Sequence, residues 1–284
     1  MKILMLTPYL PYPLLTGGQT RSYNLIKRLS VLGHKITLFC LIKNARERKY
    51  LGELEKFCIE VKVFKRSEKP WTFSNILRTG FSLYPFLVIR NWAKGEKEAI
   101  EEKLRQEKFD LIHAETFYVM PHIPKTQIPI LLVEQTIEYL VYRHFADQSS
   151  LYLRPFLYFD VMKMKYWELK YWRQAKKVVA MSDEDREKML SEIPDMSVDI
   201  VPNGVDNAYF GQEIAKKLEE PTILYLGNFT WLQNREAVDI LVRKVWPSVK
   251  KEIKNVKLWI VGKSAEEFFQ HLKSADIKVE EVKD

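Results

Sequence analysis

Two glycine-bearing turns hold the residues of this chain best suited to phosphate chemistry. Gly17 and Gly18 follow an apolar run that begins at Ile3, and Gly227 ends a second apolar run, TILYLG. An apolar run, a glycine turn and an amphipathic helix, in this order, present backbone N–H groups and a helix N-terminus to a phosphate. The two turns therefore predict two nucleotide-binding units. For Gly17 and Gly18 the alternative is an ordinary turn that needs a positive φ.

Polar side chains at the ends of two later apolar runs form a second group of candidates. His113 and Glu115 end the run DLIHAE, and Gln135 follows the run ILLVE. Residues two apart on a strand point to the same face, and ligands gather at the carboxyl ends of strands in open α/β sheets. We expect Glu115 to contact an acceptor. For His113 and Gln135 the alternative is a structural hydrogen bond near the end of the strand.

The elements that must position these residues alternate between strand and helix. Predicted strands over residues 3–6 and 35–41 flank a predicted helix over residues 20–32, and the alternation continues along the chain. Such alternation predicts a parallel sheet covered on both faces. We therefore predict an α/β fold with a complete N-terminal Rossmann-like domain, residues 1–205, and a partial second Rossmann-like domain, residues 206–284.

Composition excludes several classes of protein. The 284 residues carry a net charge of +8, which attracts anions such as phosphorylated donors, acidic lipids and nucleic acid. The sequence contains no helix-turn-helix, zinc-finger or RNA-binding motif, so we do not expect a nucleic-acid partner. Cys40 and Cys58 indicate neither a disulfide framework nor a metal site. We read the N-terminal run as a strand and not as a signal peptide, and we expect a cytoplasmic protein.

Two aromatic, basic stretches leave two interpretations open. Residues 71–92 and 151–173 combine many aromatic side chains with arginines and lysines, and we expect the first stretch to be irregular. Aromatic and cationic side chains together suit a membrane interface or a lipid-linked acceptor. The alternative is a set of helices that pack on the first sheet and have basic rims.

Four phrases in order resemble the retaining glycosyltransferases of family four, which have the GT-B fold. They are TGGQTRSYNLIKRLSVLGHKITLF, DLIHAE, AMSDED and VPNGVDNAYF. The resemblance implies a nucleotide-sugar donor that binds between two Rossmann-like domains, an acceptor held by the first domain, and transfer with retention of anomeric configuration. It implies no cofactor and no metal. We predict Gln135, His113 and Glu115 as catalytic residues, and Gly17, Gly18, Asn203, Gly204, Gly227, Asn228 and Asn234 as donor-binding residues. For Asn203 and Gly204 the alternative is a hinge between the two domains.

The chain departs from the family pattern at three places. Gln135 stands where the family usually has a histidine, and Asn228 and Asn234 stand near the usual arginine and lysine of the diphosphate site. The family's paired glutamates are expected beyond Asp284, which predicts a truncated donor domain. We therefore expect a hexosyltransferase of glycan or lipid-linked acceptors, with the inner face of the cell membrane as an optional location. The alternatives are a non-catalytic remnant, one half of a split enzyme that needs a second chain, and a sugar-nucleotide epimerase.

Overall fold

A computed structural model describes residues 1–205, 207 and 220–282 of the chain. They fall into two units, Met1–Val205 and Asp206–Asp284, each with its own sheet and core. The end of the phrase VPNGVDNAYF, Asp206 and residues 208–210, lies outside the described residues. Each unit is described by itself below.

The first unit is built on a parallel sheet of seven strands in the order β3-β2-β1-β4-β5-β6-β7. The strands are β1 (Lys2–Thr7), β2 (Lys35–Ile42), β3 (Glu60–Lys65), β4 (Leu111–Glu115), β5 (Ile130–Val133), β6 (Lys177–Ala180) and β7 (Val198–Ile200). The strand order reverses between β1 and β4, which creates a crevice at the carboxyl ends of these two strands.

Eight α-helices connect these strands. They are α1 (Gly17–Val31), α2 (Leu51–Leu54), α3 (Phe73–Phe81), α4 (Phe86–Arg90), α5 (Glu96–Gln106), α6 (Glu138–Gln148), α7 (Arg154–Gln174) and α8 (Asp183–Glu192). Short 3₁₀ helices span Ala45–Tyr50 and Phe117–His122. Among the described helices none combines the length and the apolarity that crossing a bilayer requires.

Both faces of the first sheet are buried, because alternate strand residues enter two separate clusters. Leu4 and Phe39 belong to one cluster, and Met5 and Leu38 belong to the other. Continuous apolar strands such as KITLFCLI are typical of a parallel sheet covered on both sides. The predicted α/β fold is confirmed.

Helix α1 begins three residues earlier than the sequence predicted. Thr16 is its N-cap, and the Thr16 hydroxyl accepts a hydrogen bond from the N–H of Gln19 at 3.3 Å. Gly17 and Gly18 are therefore the first helical residues, and neither has a positive φ. The predicted position of this glycine pair, in a turn before the helix, was wrong because the Thr16 cap was not recognised.

The first aromatic stretch is helical and not irregular as predicted. Thr72 caps α3, since its hydroxyl accepts a hydrogen bond from the N–H of Asn75 at 3.1 Å. Pro85 precedes α4, where its fixed φ suits the start of a helix. These two start signals outweigh the weak helix propensity of the aromatic residues between them.

The second unit contains a parallel sheet of three strands in the order β10-β9-β8. The strands are β8 (Thr222–Asn228), β9 (Lys257–Lys263) and β10 (Ile277–Glu281). The helix predicted over residues 235–251 is divided into α9 (Leu232–Ile240), a π-helical turn (Leu241–Val245) and α10 (Trp246–Glu252). A further helix, α11, spans Ala265–Phe269. The core of this unit is a cluster of buried side chains around Phe229, Leu258 and Ile260.

A buried histidine–carboxyl pair makes the stability of the first unit depend on pH. His122 Nδ1 lies 3.3 Å from the Glu96 carboxyl, and both residues are fully buried. Burial raises the pKa of Glu96 to about 8 and lowers the pKa of His122 to about 4. At neutral pH the pair is therefore uncharged.

Glu96→Gln is expected to stabilise the protein at alkaline pH. The raised pKa of Glu96 stabilises the fold below the carboxyl's ordinary pKa of 4.5, and this stabilisation is lost as pH rises through about 8. At pH 9 the variant should gain about 2–4 kcal/mol in the free energy of unfolding, because it contains no buried carboxylate. Urea unfolding at pH 6 and pH 9 measures this gain. If the free energy of unfolding of Glu96→Gln fell between pH 6 and pH 9 as much as that of the wild type, this prediction would be contradicted.

Candidate functional site

The candidate site lies where β1, β4 and β5 end, beside the first turn of α1. Tyr9 follows β1, Glu115 ends β4 and Gln135 follows β5. This is the edge at which the strand order reverses between β1 and β4. In open α/β sheets a ligand binds at such a reversal, outside the carboxyl ends of the strands.

A continuous chain of hydrogen bonds joins the polar side chains of this edge. His113 Nε2 lies 2.8 Å from Glu115 Oε1, and Gln135 Nε2 donates to Glu115 Oε2 at 2.9 Å. The same Gln135 nitrogen donates to the Tyr9 hydroxyl at 2.7 Å, which lies 3.1 Å from the hydroxyl of Ser22 on α1. The structure thus brings together all three predicted catalytic residues, His113, Glu115 and Gln135.

This network fixes the orientation of the Gln135 amide. A carboxylate only accepts hydrogen bonds, so Glu115 requires that the Gln135 NH₂ group faces it. The Gln135 carbonyl oxygen is then turned towards α1, where a Cβ added to Gly18 would lie only 2.7 Å from it. Glycine at residue 18 leaves the space in which Gln135 and Tyr9 sit.

Electrostatics determine the protonation states of Glu115 and Tyr9 in this network. Burial acts to raise the pKa of the Glu115 carboxyl, but the interaction with His113, the hydrogen bond from Gln135 and the charge of Arg21 hold that pKa below its ordinary value. Burial and the charge of Glu115 raise the pKa of Tyr9. At neutral pH the site therefore contains an ionised carboxylate and a protonated phenol.

The backbone is strained where the chain leaves this edge. Thr116 follows Glu115 directly and has φ 68° and ψ 151°, a conformation that a β-branched residue rarely adopts. Its N–H donates to the carbonyl oxygen of Val133 on β5 at 2.7 Å, and the next residue, Phe117, is fully buried. Strain of this kind persists where surrounding packing determines it, and it is common at functional sites.

The predicted donor-binding residues of the first unit differ in their surroundings. Arg21, one turn along α1 from Gly17, donates to the carbonyl oxygen of Pro202 at 3.0 Å and to the side-chain oxygen of Asn203 at 3.2 Å. A Cβ added to Gly17 or Gly204 would meet no atom within 4 Å. Asn203 is thus tied to α1, whereas the backbone of Gly17 is open to a ligand.

The second unit has its own glycine-lined strand end. Gly227 and Gly262 are register partners on β8 and β9, and Gly262 has φ +149°. Asn234 donates to the backbone oxygen of Asn228 at 2.8 Å, and Asn228 Oδ1 accepts a hydrogen bond from the Thr230 hydroxyl at 2.7 Å. The two asparagine side chains therefore hold the turn between β8 and α9.

Sequence reasoning missed four residues of these sites. Gly18, Arg21 and Ser22 are spaced i, i+3 and i+4, so a helix that starts at Gly17 would have placed Arg21 and Ser22 on the face of Gly18. Tyr9 lies in a proline-rich run that reads as an ordinary strand exit. Gly262 had no local signal, because the need for glycine comes from the carbonyl group of Gly227 on the neighbouring strand.

A cavity elsewhere in the first unit lies away from this chemistry. Its volume is about 730 Å³, and its lining includes Ile130, Trp167, Lys170 and Gln174. Ile130 is the first residue of β5, so the cavity lies at the amino ends of the strands. The rule for ligands in open α/β sheets favours the opposite edge, where Glu115 and Gln135 lie.

Two Rossmann-like parallel sheets define this chain as an α/β protein of the GT-B type. The chain belongs to Glycosyltransferase Family 4, whose model matches residues 15–209. It is 23% identical over 279 residues to an uncharacterized 44.6 kDa protein in the cps region of Klebsiella pneumoniae, covering 96% of this chain and 68% of that protein.

Two solved structures share the fold. TarM superposes with a TM-score of 0.61 at 8% identity, over 99% of this chain and 76% of that chain. The lipopolysaccharide outer core galactosyltransferase WaaB, in its apo form, superposes with a TM-score of 0.50 at 14% identity, over 96% of this chain and 65% of that chain. This chain thus spans about two thirds of the length of WaaB and of the Klebsiella relative.

Proposed function

We propose that this protein is a retaining glycosyltransferase that moves a hexose from a nucleotide sugar to a glycan or lipid-linked acceptor. The observation that carries the proposal is the His113–Glu115–Gln135–Tyr9 network at the strand reversal of a Glycosyltransferase Family 4 chain. In the proposed reaction an acceptor hydroxyl attacks the anomeric carbon, and the bond from that carbon to the diphosphate breaks. The acceptor proton goes to an oxygen of the departing diphosphate.

The residues of the hydrogen-bond network act on the acceptor in this proposal. The Gln135 carbonyl oxygen accepts a hydrogen bond from a substrate hydroxyl, because the NH₂ group of Gln135 is committed to Glu115 and Tyr9. Glu115 and His113 are positioning residues that hold the amide in place. Catalysis then comes from orientation of the acceptor hydroxyl and from stabilisation of charge on the leaving diphosphate.

Glycine backbone contacts the donor in this proposal. Gly17 and Gly18 are the first two residues of α1, where backbone N–H groups have no partner within the helix, and Gly227 ends β8. Asn203, Gly204, Asn228 and Asn234 are the further donor contacts that we propose. No bound cofactor or metal is assigned, and the nucleotide sugar is a co-substrate.

Isothermal titration calorimetry with a panel of UDP- and GDP-hexoses tests donor use. At least one member should bind with a dissociation constant between about 1 μM and 1 mM, the range of enzyme–substrate pairs. The free diphosphate should compete with that nucleotide sugar for the same site. Failure of every member to bind folded protein at 1 mM would contradict the proposal.

An exposed aromatic face supports a peripheral position on the inner face of the cell membrane. We define this face by the side chains of Phe73, Phe81, Leu83, Tyr152 and Phe156, all of which are at least three-quarters exposed. Lys163 of α7 donates to the carbonyl oxygen of Thr79 of α3 at 2.7 Å, so the two aromatic stretches are in contact. Apolar side chains with basic neighbours suit anionic lipid.

Phe81→Asp combined with Phe156→Asp is expected to weaken binding to anionic vesicles about 30-fold. Each phenylalanine should contribute roughly 1–2 kcal/mol when it enters the membrane interface. Co-sedimentation with phosphatidylglycerol vesicles measures the change. The matched control is Ile59→Asp combined with Val31→Asp, which adds the same two charges at exposed apolar residues outside the aromatic face. Wild-type binding by the double variant would refute the membrane proposal.

The second candidate is that this chain forms one half of a split enzyme, which a second chain completes. Leu224 and Leu226 point to the same face of β8 and are both more than half exposed. An apolar edge strand of this kind suits pairing with further strands. Sugar transfer by the purified chain alone would refute this candidate.

A further inference from the structure

A pair of arginines lies beside the hydrogen-bond network at the same edge of the first sheet. Arg66 follows β3 directly, and its backbone N–H donates to the carbonyl oxygen of Ile42 on β2 at 3.0 Å. Arg90 is the last residue of α4, which packs against the 3₁₀ helix that follows β4. Nothing in the proposed sugar transfer uses either guanidinium.

Arg66 is a buried cation with unused hydrogen-bonding capacity. It is 9% exposed, and its Nε has no hydrogen-bond partner among the described residues. The buried Nε of Arg90 also has none within that part of the chain. A charge is buried at high energetic cost unless it is paired, so Arg66 indicates a missing anionic partner, and the half-buried Arg90 adds a second Nε without a partner among the described residues.

Two carboxyl groups face these arginines but only partly balance the guanidinium charge. Burial, followed by the like charge of Arg90, lowers the pKa of Arg66 to about 10, so the Arg66 guanidinium is charged at neutral pH. Glu47 also faces Arg66, but its carboxylate accepts hydrogen bonds from the N–H groups of Lys43 and Asn44. Glu138 faces Arg90, and burial raises the pKa of this carboxyl to about 7.

Two tyrosines complete the surroundings and connect the arginines to the network. The Tyr142 hydroxyl interacts with Arg90. Tyr118, in the 3₁₀ helix after the strained residue Thr116, lies within electrostatic range of Tyr9, Arg66 and Arg90. Tyr118 therefore lies between the arginines and the Tyr9 end of the network.

We infer that Arg66 and Arg90 form a phosphate-binding site, and that the acceptor of this enzyme carries a phosphoryl group there. Arginine's planar fork matches the oxygens of a phosphate, and a phosphate monoester carries close to two negative charges. Two guanidinium groups present several N–H donors, which match the oxygens of a phosphate better than the two oxygens of a carboxylate ligand. Naming the ligand as the acceptor rests on the proposed function, whereas phosphate binding itself does not.

Titration with inorganic phosphate at constant ionic strength tests the site without any donor. The wild type should bind phosphate in the millimolar range and acetate more weakly. Arg66→Gln should weaken phosphate binding at least about 10-fold, since it removes charge-assisted hydrogen bonds. Arg66→Lys should be intermediate, because it keeps the charge and loses the fork. The control Arg78→Gln, at an exposed arginine of α3, should bind like the wild type.

Two further measurements separate this site from a structural role and from the donor site. Arg66→Gln should not lower the melting temperature, because it removes a buried charge that lacks a partner. Its affinity for UDP should equal that of the wild type. Separate titrations with glucose 1-phosphate and with vesicles that contain polyprenyl phosphate identify a soluble or a lipid-linked source, and tighter binding of either one supports the site.

Three results would overturn the inference. They are the absence of phosphate binding by the wild type, undiminished phosphate binding by Arg66→Gln, and loss of UDP binding in that variant. If every nucleotide sugar failed to bind while phosphate binding still depended on Arg66, the proposed function would fail and the phosphate site would stand.

Discussion

Glu115→Gln is expected to lower kcat/KM for sugar transfer about 100-fold while leaving the protein folded. His113 and Gln135 both direct N–H groups at the Glu115 carboxylate. A glutamine at residue 115 accepts only one of these bonds and turns its own NH₂ group towards the other donor. The Gln135 amide or the His113 ring must then reorient. Lost orientation of a reacting hydroxyl, by itself, can reduce a rate by this factor.

An assay of nucleoside diphosphate release from the nucleotide sugar measures this effect. The matched control is Glu55→Gln, which removes a carboxylate from an exposed residue and should keep activity within about twofold of the wild type. Donor affinity should not change in Glu115→Gln, because Glu115 contacts only His113 and Gln135 in the described hydrogen-bond network. Full activity of Glu115→Gln would show that the network has no role in transfer.

Gly262→Ala is expected to unfold the second unit. A Cβ at residue 262 would overlap the backbone carbonyl group of Gly227 on the adjacent strand, and φ at this residue is +149°. The carbonyl carbon and oxygen of Gly227 are backbone atoms and cannot move aside as a side chain could, so β8 and β9 must separate. The cost should exceed about 4 kcal/mol, a large fraction of the stability of a unit of this size.

Hydrogen exchange resolved by peptide distinguishes local from global unfolding. Peptides from β8, β9 and β10 should lose protection in Gly262→Ala, and peptides from β1 and β4 should keep it. Gly80→Ala is the control, because a Cβ at this residue of α3 meets no atom within 4 Å. Wild-type protection of β8 and β9 in Gly262→Ala would contradict the close approach of these strands.

The fold could be predicted because its signals are local. Apolar runs that alternate with amphipathic helices predict a parallel sheet from sequence alone. Strand periodicity likewise placed His113 and Glu115 on one face, and the structure places their side chains 2.8 Å apart. The starts of the helices were harder to predict from the sequence, because the first turn of α1 depends on whether Thr16 acts as an N-cap.

Much of the candidate site could not be predicted, because distant parts of the chain create it. Tyr9 and Gln135 are 126 residues apart and share one hydrogen bond. Arg66 resembles any surface arginine in the sequence, and its burial becomes visible only once β3 and α4 are placed. Gly262 is required by the register of β9 against β8. Each of these properties belongs to the packing of elements and not to their composition.

The decisive measurement is release of nucleoside diphosphate by the purified chain from a panel of UDP- and GDP-hexoses. Soluble sugar phosphates and polyprenyl-diphosphate-linked sugars serve as acceptors, and the anomeric proton of each product is assigned by NMR. We expect one donor to give a product of retained configuration, with a rate that falls about 100-fold in Glu115→Gln. If every donor at 1 mM released nucleoside diphosphate no faster with the protein than without it, glycosyl transfer by this protein would be contradicted.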